Sequence, residues 1–100
     1  MTVVFHRLAT REFVAARRRY AQYSPVTEGR FVAAVRVAVE RIDANPLLGN
    51  PYLGPFRWVR THRYPYVLYY EVIGPSLVRV YALAHARRRP GYWLRRVKRA

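Results

Sequence analysis

Two hydrophobic periods alternate along the chain. Val3-Val4-Phe5 opens it as a short β-favouring run. Ala9, Phe13, Ala16, Tyr20 and Tyr23 then recur three and four residues apart. That spacing follows one face of a helix and predicts one from Ala9 to Tyr23, with Arg11, Arg17 and Arg18 on the opposite face. Ser24-Pro25 breaks the pattern as an N-cap followed by a first-turn proline. A second helix is expected from there to Ala44, striped by Phe31, Val35, Val39 and Ile42. Asn45-Pro46 closes it, because a residue before proline disfavours helix. So short a link between two helices predicts an antiparallel hairpin.

Beyond the helices the period shortens. Asn45 to Phe56 (NPLLGNPYLGPF) reads as a loop. Arg57–His62, Tyr66–Ile73 and Leu77–Ala84 read as strands, with Gly74-Pro75 as a two-residue turn between the last two. In the third strand Val78, Val80, Ala82 and Ala84 alternate with Arg79, Tyr81, Leu83 and His85. Period two places the first set under the helices and the second on the far face. The basic tail from Arg87 is expected to end in a short helix. The whole reads as one α+β domain over residues 1–100, β-α-α-β-β-β, with a helix hairpin on a mainly antiparallel sheet.

Charge changes this picture most. Nineteen Lys plus Arg stand against five Asp plus Glu, a formal +14, and every base but Lys98 is arginine. Such a surface attracts polyanions, so nucleic acid, ribosome or an acidic protein are the expected partners. With no cysteine there is no disulfide, thiolate nucleophile or Cys zinc site. The carboxylates are scattered and the three histidines far apart, so neither a metal site nor a small-molecule cofactor is expected. The longest uncharged run, Ala44 to Phe56, carries three prolines and cannot span a membrane. No leader-like segment opens the chain, and a cytoplasmic location is expected.

A two-residue turn at Gly74-Pro75 would set Tyr66 opposite Leu83 and bring Tyr64 towards His85. His62, Arg63, Tyr64, Tyr66, His85 and Arg87 would then gather at one end of the sheet. Metal-free RNA cleavage uses such groups: histidine exchanges protons, arginine offsets phosphate charge, and tyrosine stacks or donates. Histidine and tyrosine beside turns also serve simply to cap strands and cover sheet faces.

At this point the chain resembles the RelE/ParE superfamily of toxins. His62-Arg63-Tyr64-Pro65-Tyr66-Val67-Leu68-Tyr69-Tyr70 is similar to that superfamily's "FPY…YY" strand. His85-Ala86-Arg87-Arg88-Arg89-Pro90-Gly91-Tyr92-Trp93 is similar to its closing "H…RR.P.YW" segment. Arg30-Phe31 with the striped helix and Asn45-Pro46 also match. The resemblance runs from Val3 to Trp93. It implies a toxin restrained by a cognate acidic antitoxin, acting either on ribosome-bound mRNA as an endoribonuclease or on DNA gyrase as a non-catalytic inhibitor. Composition alone also fits a basic RNA-binding module.

Carried over by position, the resemblance implies Arg87 as a phosphate-binding arginine and Tyr92 or Trp93 as the C-terminal aromatic. With His85 from the sheet-end cluster, Arg87 and Tyr92 make up the catalytic candidates. Arg57, Arg60, Arg63, Tyr66, Arg88, Arg89 and Trp93 are the nucleic-acid-binding candidates. The chain departs from the nuclease branch at Tyr66, where that branch carries an arginine, and no carboxylate is placed as a base. The Pro65-Tyr66 pair is more typical of the ParE branch.

Overall fold

The computed structural model describes residues 1–97. Its elements are β1 (Thr2–Phe5), α1 (Arg7–Ala21), α2 (Pro25–Ala44), β2 (Asn50–Tyr52), β3 (Phe56–Arg60), β4 (Tyr66–Val72) and β5 (Leu77–His85). They form one five-stranded sheet in the order β1-β5-β4-β3-β2. β1 runs parallel to β5 and every other pairing is antiparallel. The expected α+β architecture is present, with one strand more than the sequence reading placed.

Local chemistry sets the helix ends. Ser24 Oγ accepts the Thr27 N–H at 3.0 Å, and Pro25 opens α2, as expected. α1 starts two residues before the apolar stripe. There His6 Nδ1 accepts the Leu8 N–H at 3.0 Å, so an imidazole serves as the cap. Arg17 Nε donates to Glu28 Oε2 at 2.7 Å and ties α1 to α2.

The Asn45–Phe56 stretch is not all loop. Pro46–Leu48 forms a short 3-10 helix, and Asn50–Tyr52 pairs with β3 as an edge strand. The Tyr70 hydroxyl fixes this segment by donating to Pro46 O at 2.6 Å and accepting from Gly49 N at 3.0 Å. Gly49 has to be glycine for that approach, since a Cβ there would collide with the Tyr70 ring and hydroxyl.

The β4–β5 register differs from the expected one. Val72 pairs with Val78, and Ile73 N donates to Leu77 O, so the turn holds Gly74, Pro75 and Ser76. Further along, Tyr69 pairs with Ala82 and Tyr70 with Val80, leaving Tyr81 as the extra residue of a β-bulge. Tyr66 therefore faces His85 rather than Leu83. The bulge also ends the simple alternation. Val78, Val80 and then Leu83 join the core under the helices, whereas Tyr81 and Ala82 lie in the core on the far face.

The helix-side core gathers Phe31, Val35, Ile42, Val78 and Val80 as expected, with Val39 packed at its margin. Phe31 is its centre, with Tyr20, Tyr66 and Tyr64 rings at 4.8, 5.4 and 5.6 Å. The far face is covered by the C-terminal segment. At Gly91 the chain turns through φ +84, a left-handed value that suits glycine. Trp93 then seats against Phe56, Tyr69 and Tyr81. Of the helix expected in the tail, only a 3-10 turn, Leu94–Arg96, is formed within the described residues. The last three residues of the chain lie outside them.

Candidate functional site

The residues expected at one sheet end do lie there, Tyr66 facing His85 across the ladder and Ala86 N donating to Pro65 O at 2.7 Å, but they border two different clefts. His62, Arg63 and Tyr64 line a groove of about 500 Å³ against α2, with Arg30, Ala33 and Val37 opposite. Arg63 is exposed, with φ +72, at the crest of the β3–β4 turn. Thr61 holds that turn from within, its hydroxyl donating to Tyr64 O at 2.8 Å. His85, Arg88 and Tyr66 instead border a small cleft of about 140 Å³ beside Glu12 and Arg19 of α1. Tyr92 and Trp93 belong to the segment that covers the far face.

Burial removes two aromatic candidates as open stacking faces. Trp93 is fully buried, and Tyr66 is 3% exposed between Phe31 and His85. Both are large apolar rings at positions where the sheet needs covering, and burial stabilises them more than an open stacking platform would. The Trp93 Nε1–H has no hydrogen-bond partner among the described residues.

The polar candidates carry structural bonds. His85 Nδ1 accepts from Arg87 N at 3.1 Å, and His85 O accepts from Arg88 N at 2.9 Å, so this histidine caps the end of β5. Arg57 Nη1 donates to Gly49 O at 2.9 Å and Leu47 O at 3.3 Å, stapling the segment ahead of β2. Arg60, Arg87, Arg88 and Arg89 are exposed. The Arg88 guanidinium lies 3.7 Å above the Tyr92 ring, a cation–π contact.

The organising residue is Glu12, which the sequence reading left among the scattered acids. It accepts from Leu83 N at 3.1 Å, from the Tyr92 hydroxyl at 2.6 Å, and from Arg96 Nη1 and Nη2 at 2.9 and 2.8 Å. Arg88 stands 3.6 Å away. One carboxylate thus joins α1, β5 and the C-terminal segment. Burial alone would raise its pKa, but the hydrogen bonds from Arg96, Tyr92 and Leu83 together outweigh that and hold it below the usual carboxylate range. The same contact works the other way on its partners. Burial first, and then the bond to Glu12, push the Tyr92 phenol far above its ordinary value. Arg96 is raised mainly by its bond to Glu12. The available signal in the sequence was position: Glu12 is the one acid of α1, directly beside the stripe residue Phe13.

The arrangement suits binding anions and anchoring a protein partner better than moving protons. Among the described residues, no three His, Cys, Asp or Glu side chains gather as a metal site. No described helix is long and apolar enough to cross a membrane.

Comparison with known proteins agrees with this architecture. A family model described as "ParE toxin of type II toxin-antitoxin system, parDE" matches residues 3–90. No curated protein matches. Among solved structures, the chain is similar in fold to one titled "Chromosomal ParDE TA system from P. aeruginosa", with a TM-score of 0.73 and 20% sequence identity. The match covers 87% of this chain and 97% of that one.

Proposed function

The chain belongs to the ParE family of type II toxin–antitoxin toxins, and from that premise we propose that it arrests growth as a non-catalytic inhibitor of DNA gyrase. The observation that carries this reading is the bond between Tyr92 and Glu12. The phenol is held neutral and hydrogen-bonded at 2.6 Å, with its pKa raised by burial and by that carboxylate. A proton-transfer group needs a pKa near the working pH and a free path to substrate. His85 Nδ1 is likewise engaged by the backbone. Of the three catalytic candidates, only Arg87 stands exposed on a turn, and a lone arginine can bind phosphate but supplies no base.

Family membership implies a cognate antitoxin. The groove along α2 fits its docking segment. Ala33, Ala34, Val37 and Tyr64 offer apolar contact, and Arg30, Arg63 and His62 ring it with donors. Exposed Val26 and Val37 extend the apolar surface along α2. An amphipathic segment with acidic flanks matches both properties.

The decisive assay adds the purified chain, freed of antitoxin, to two reactions. In the first, gyrase supercoils relaxed plasmid; in the second, ribosomes translate a defined mRNA. Supercoiling should fail and the mRNA should stay whole. Ribosome-dependent cleavage with unimpaired supercoiling would overturn the proposal in favour of the nuclease branch.

A further inference from the structure

We infer that an arginine trough between the start of α1 and the C-terminal segment binds the phosphate backbone of duplex nucleic acid. Two clefts compose it. The first, about 440 Å³, is lined by His6, Arg7, Arg79, Tyr81 and Arg96. The second, about 280 Å³, is lined by Leu8, Arg88, Arg89, Tyr92, Arg95 and Arg96. They meet at Arg96 and at the adjoining residues Arg7 and Leu8, so the surface is continuous.

Its charge is largely uncompensated. Arg96 is neutralised by Glu12 and forms the wall between the clefts, with its Nη1 also donating to Tyr81 O. Arg88 lies at the edge of the same carboxylate's reach. Arg7, Arg79, Arg89 and Arg95 have no ion pair among the described residues. Glu71, across the ladder from Arg79, takes the Tyr81 hydroxyl at 3.2 Å. The first cleft also receives the amino end of α1, whose cap residue is His6 and whose first turn contains no acid. The helix dipole there adds positive potential to that of the guanidinium groups.

The chemistry of the lining selects the occupant. Among the described residues Leu8 is the only aliphatic side chain lining either cleft, and peptide docking draws most of its affinity from apolar burial. The apolar groove lies elsewhere, on α2. Unpaired bases need open aromatic faces on which to stack. Here Tyr81 is 3% exposed, and the Tyr92 ring lies under Arg88 and Arg96. What remains is a row of guanidinium donors, which matches phosphodiester oxygens on a strand whose bases are already paired.

The test is a fluorescence-anisotropy titration of the full chain, with a labelled DNA duplex of about 20 base pairs, across a range of salt concentrations. Arg7→Ala/Arg79→Ala should weaken binding about tenfold at physiological salt and lower the log–log salt slope by about 2, two phosphate contacts being lost. The charge-matched pair Arg36→Ala/Arg41→Ala, on α2, should change affinity by no more than about twofold. Arg89→Glu/Arg95→Glu, both exposed, provides a second trough variant should the first melt early. An RNA duplex bound as tightly as DNA supports backbone recognition and identifies A-form as an acceptable source; weaker RNA binding identifies B-form DNA. Equal losses in trough and control variants would mean diffuse attraction and overturn the inference. So would polyglutamate competing as well as DNA at equal charge, or single strands outbinding duplex. None of these outcomes depends on gyrase, so the trough and the proposed target fail separately.

Discussion

Glu12 is one of only five acidic residues in a chain of net charge +14, and it anchors the segment that closes the far face of the sheet. Glu12→Gln should cost about 2 kcal/mol of stability, the loss of charge-assisted hydrogen bonds to a partly buried partner. Arg96, whose side chain is 9% exposed, would be left without its counter-ion. Chemical denaturation of the two proteins measures this. The pH dependence follows from direction alone. The folded pKa of Glu12 lies below its ordinary value of 4.5, so its contribution is complete above 4.5 and is lost as pH falls through the lower, folded value. Glu12→Gln should flatten the acid limb of a stability–pH profile. Arg87 is the opposite kind of residue, exposed and away from the core. If gyrase is the target, Arg87→Ala should leave both the melting temperature and growth arrest on induction unchanged. At this scale the sequence marked His85, Arg87 and Tyr92 as residues of interest through motif resemblance. It gave no means of telling a ring that stacks on a base from one that fills a core, so Trp93 and Tyr66 read as surface residues while the fold buries them.

Among elements, the two helices were the most legible, because their stripes, Ser24-Pro25 and Asn45-Pro46 are all local signals. β5 was legible only as far as Val80. After that residue both alternating sets are apolar, Tyr81 and Leu83 against Ala82 and Ala84, so the pattern carries no information about which set turns towards the helices. The bulge lies in that ambiguous stretch. β2 was missed for a different reason: Pro51 and two nearby glycines suit a loop, and an edge strand tolerates proline where a central one does not. Two substitutions probe how these elements are held. Tyr70→Phe should cost about 1–2 kcal/mol, leaving the buried Gly49 N–H without its acceptor, and urea titration would detect it with little change in secondary structure. Trp93→Ala should cost about 3–5 kcal/mol by emptying the centre of the far-face core. A loss below 1 kcal/mol on the same titration would mean that this segment contributes little to the folded state.

Over the whole molecule, the apolar groove on α2 and the arginine trough beside the start of α1 occupy separate surfaces. Antitoxin docking should therefore show divided kinetics. The charge on the chain accelerates encounter, and apolar contact holds the complex. Stopped-flow association with the cognate antitoxin should slow markedly between 0.05 and about 0.5 M salt, as the Debye length falls to several Å, while dissociation changes much less. A dissociation rate that climbs with salt as steeply as association falls would assign the holding energy to ion pairs instead. The doubled position in β5 also has a bearing on inheritance. Tyr81 and Ala82 both serve the far-face core, with Val80 before them and Leu83 after them serving the other. Loss of one codon from that pair would iron the strand flat without moving Leu83 or His85 to a new side. Chain length can thus vary by one inside a central strand, and an alignment of relatives would place a gap where gaps are least expected.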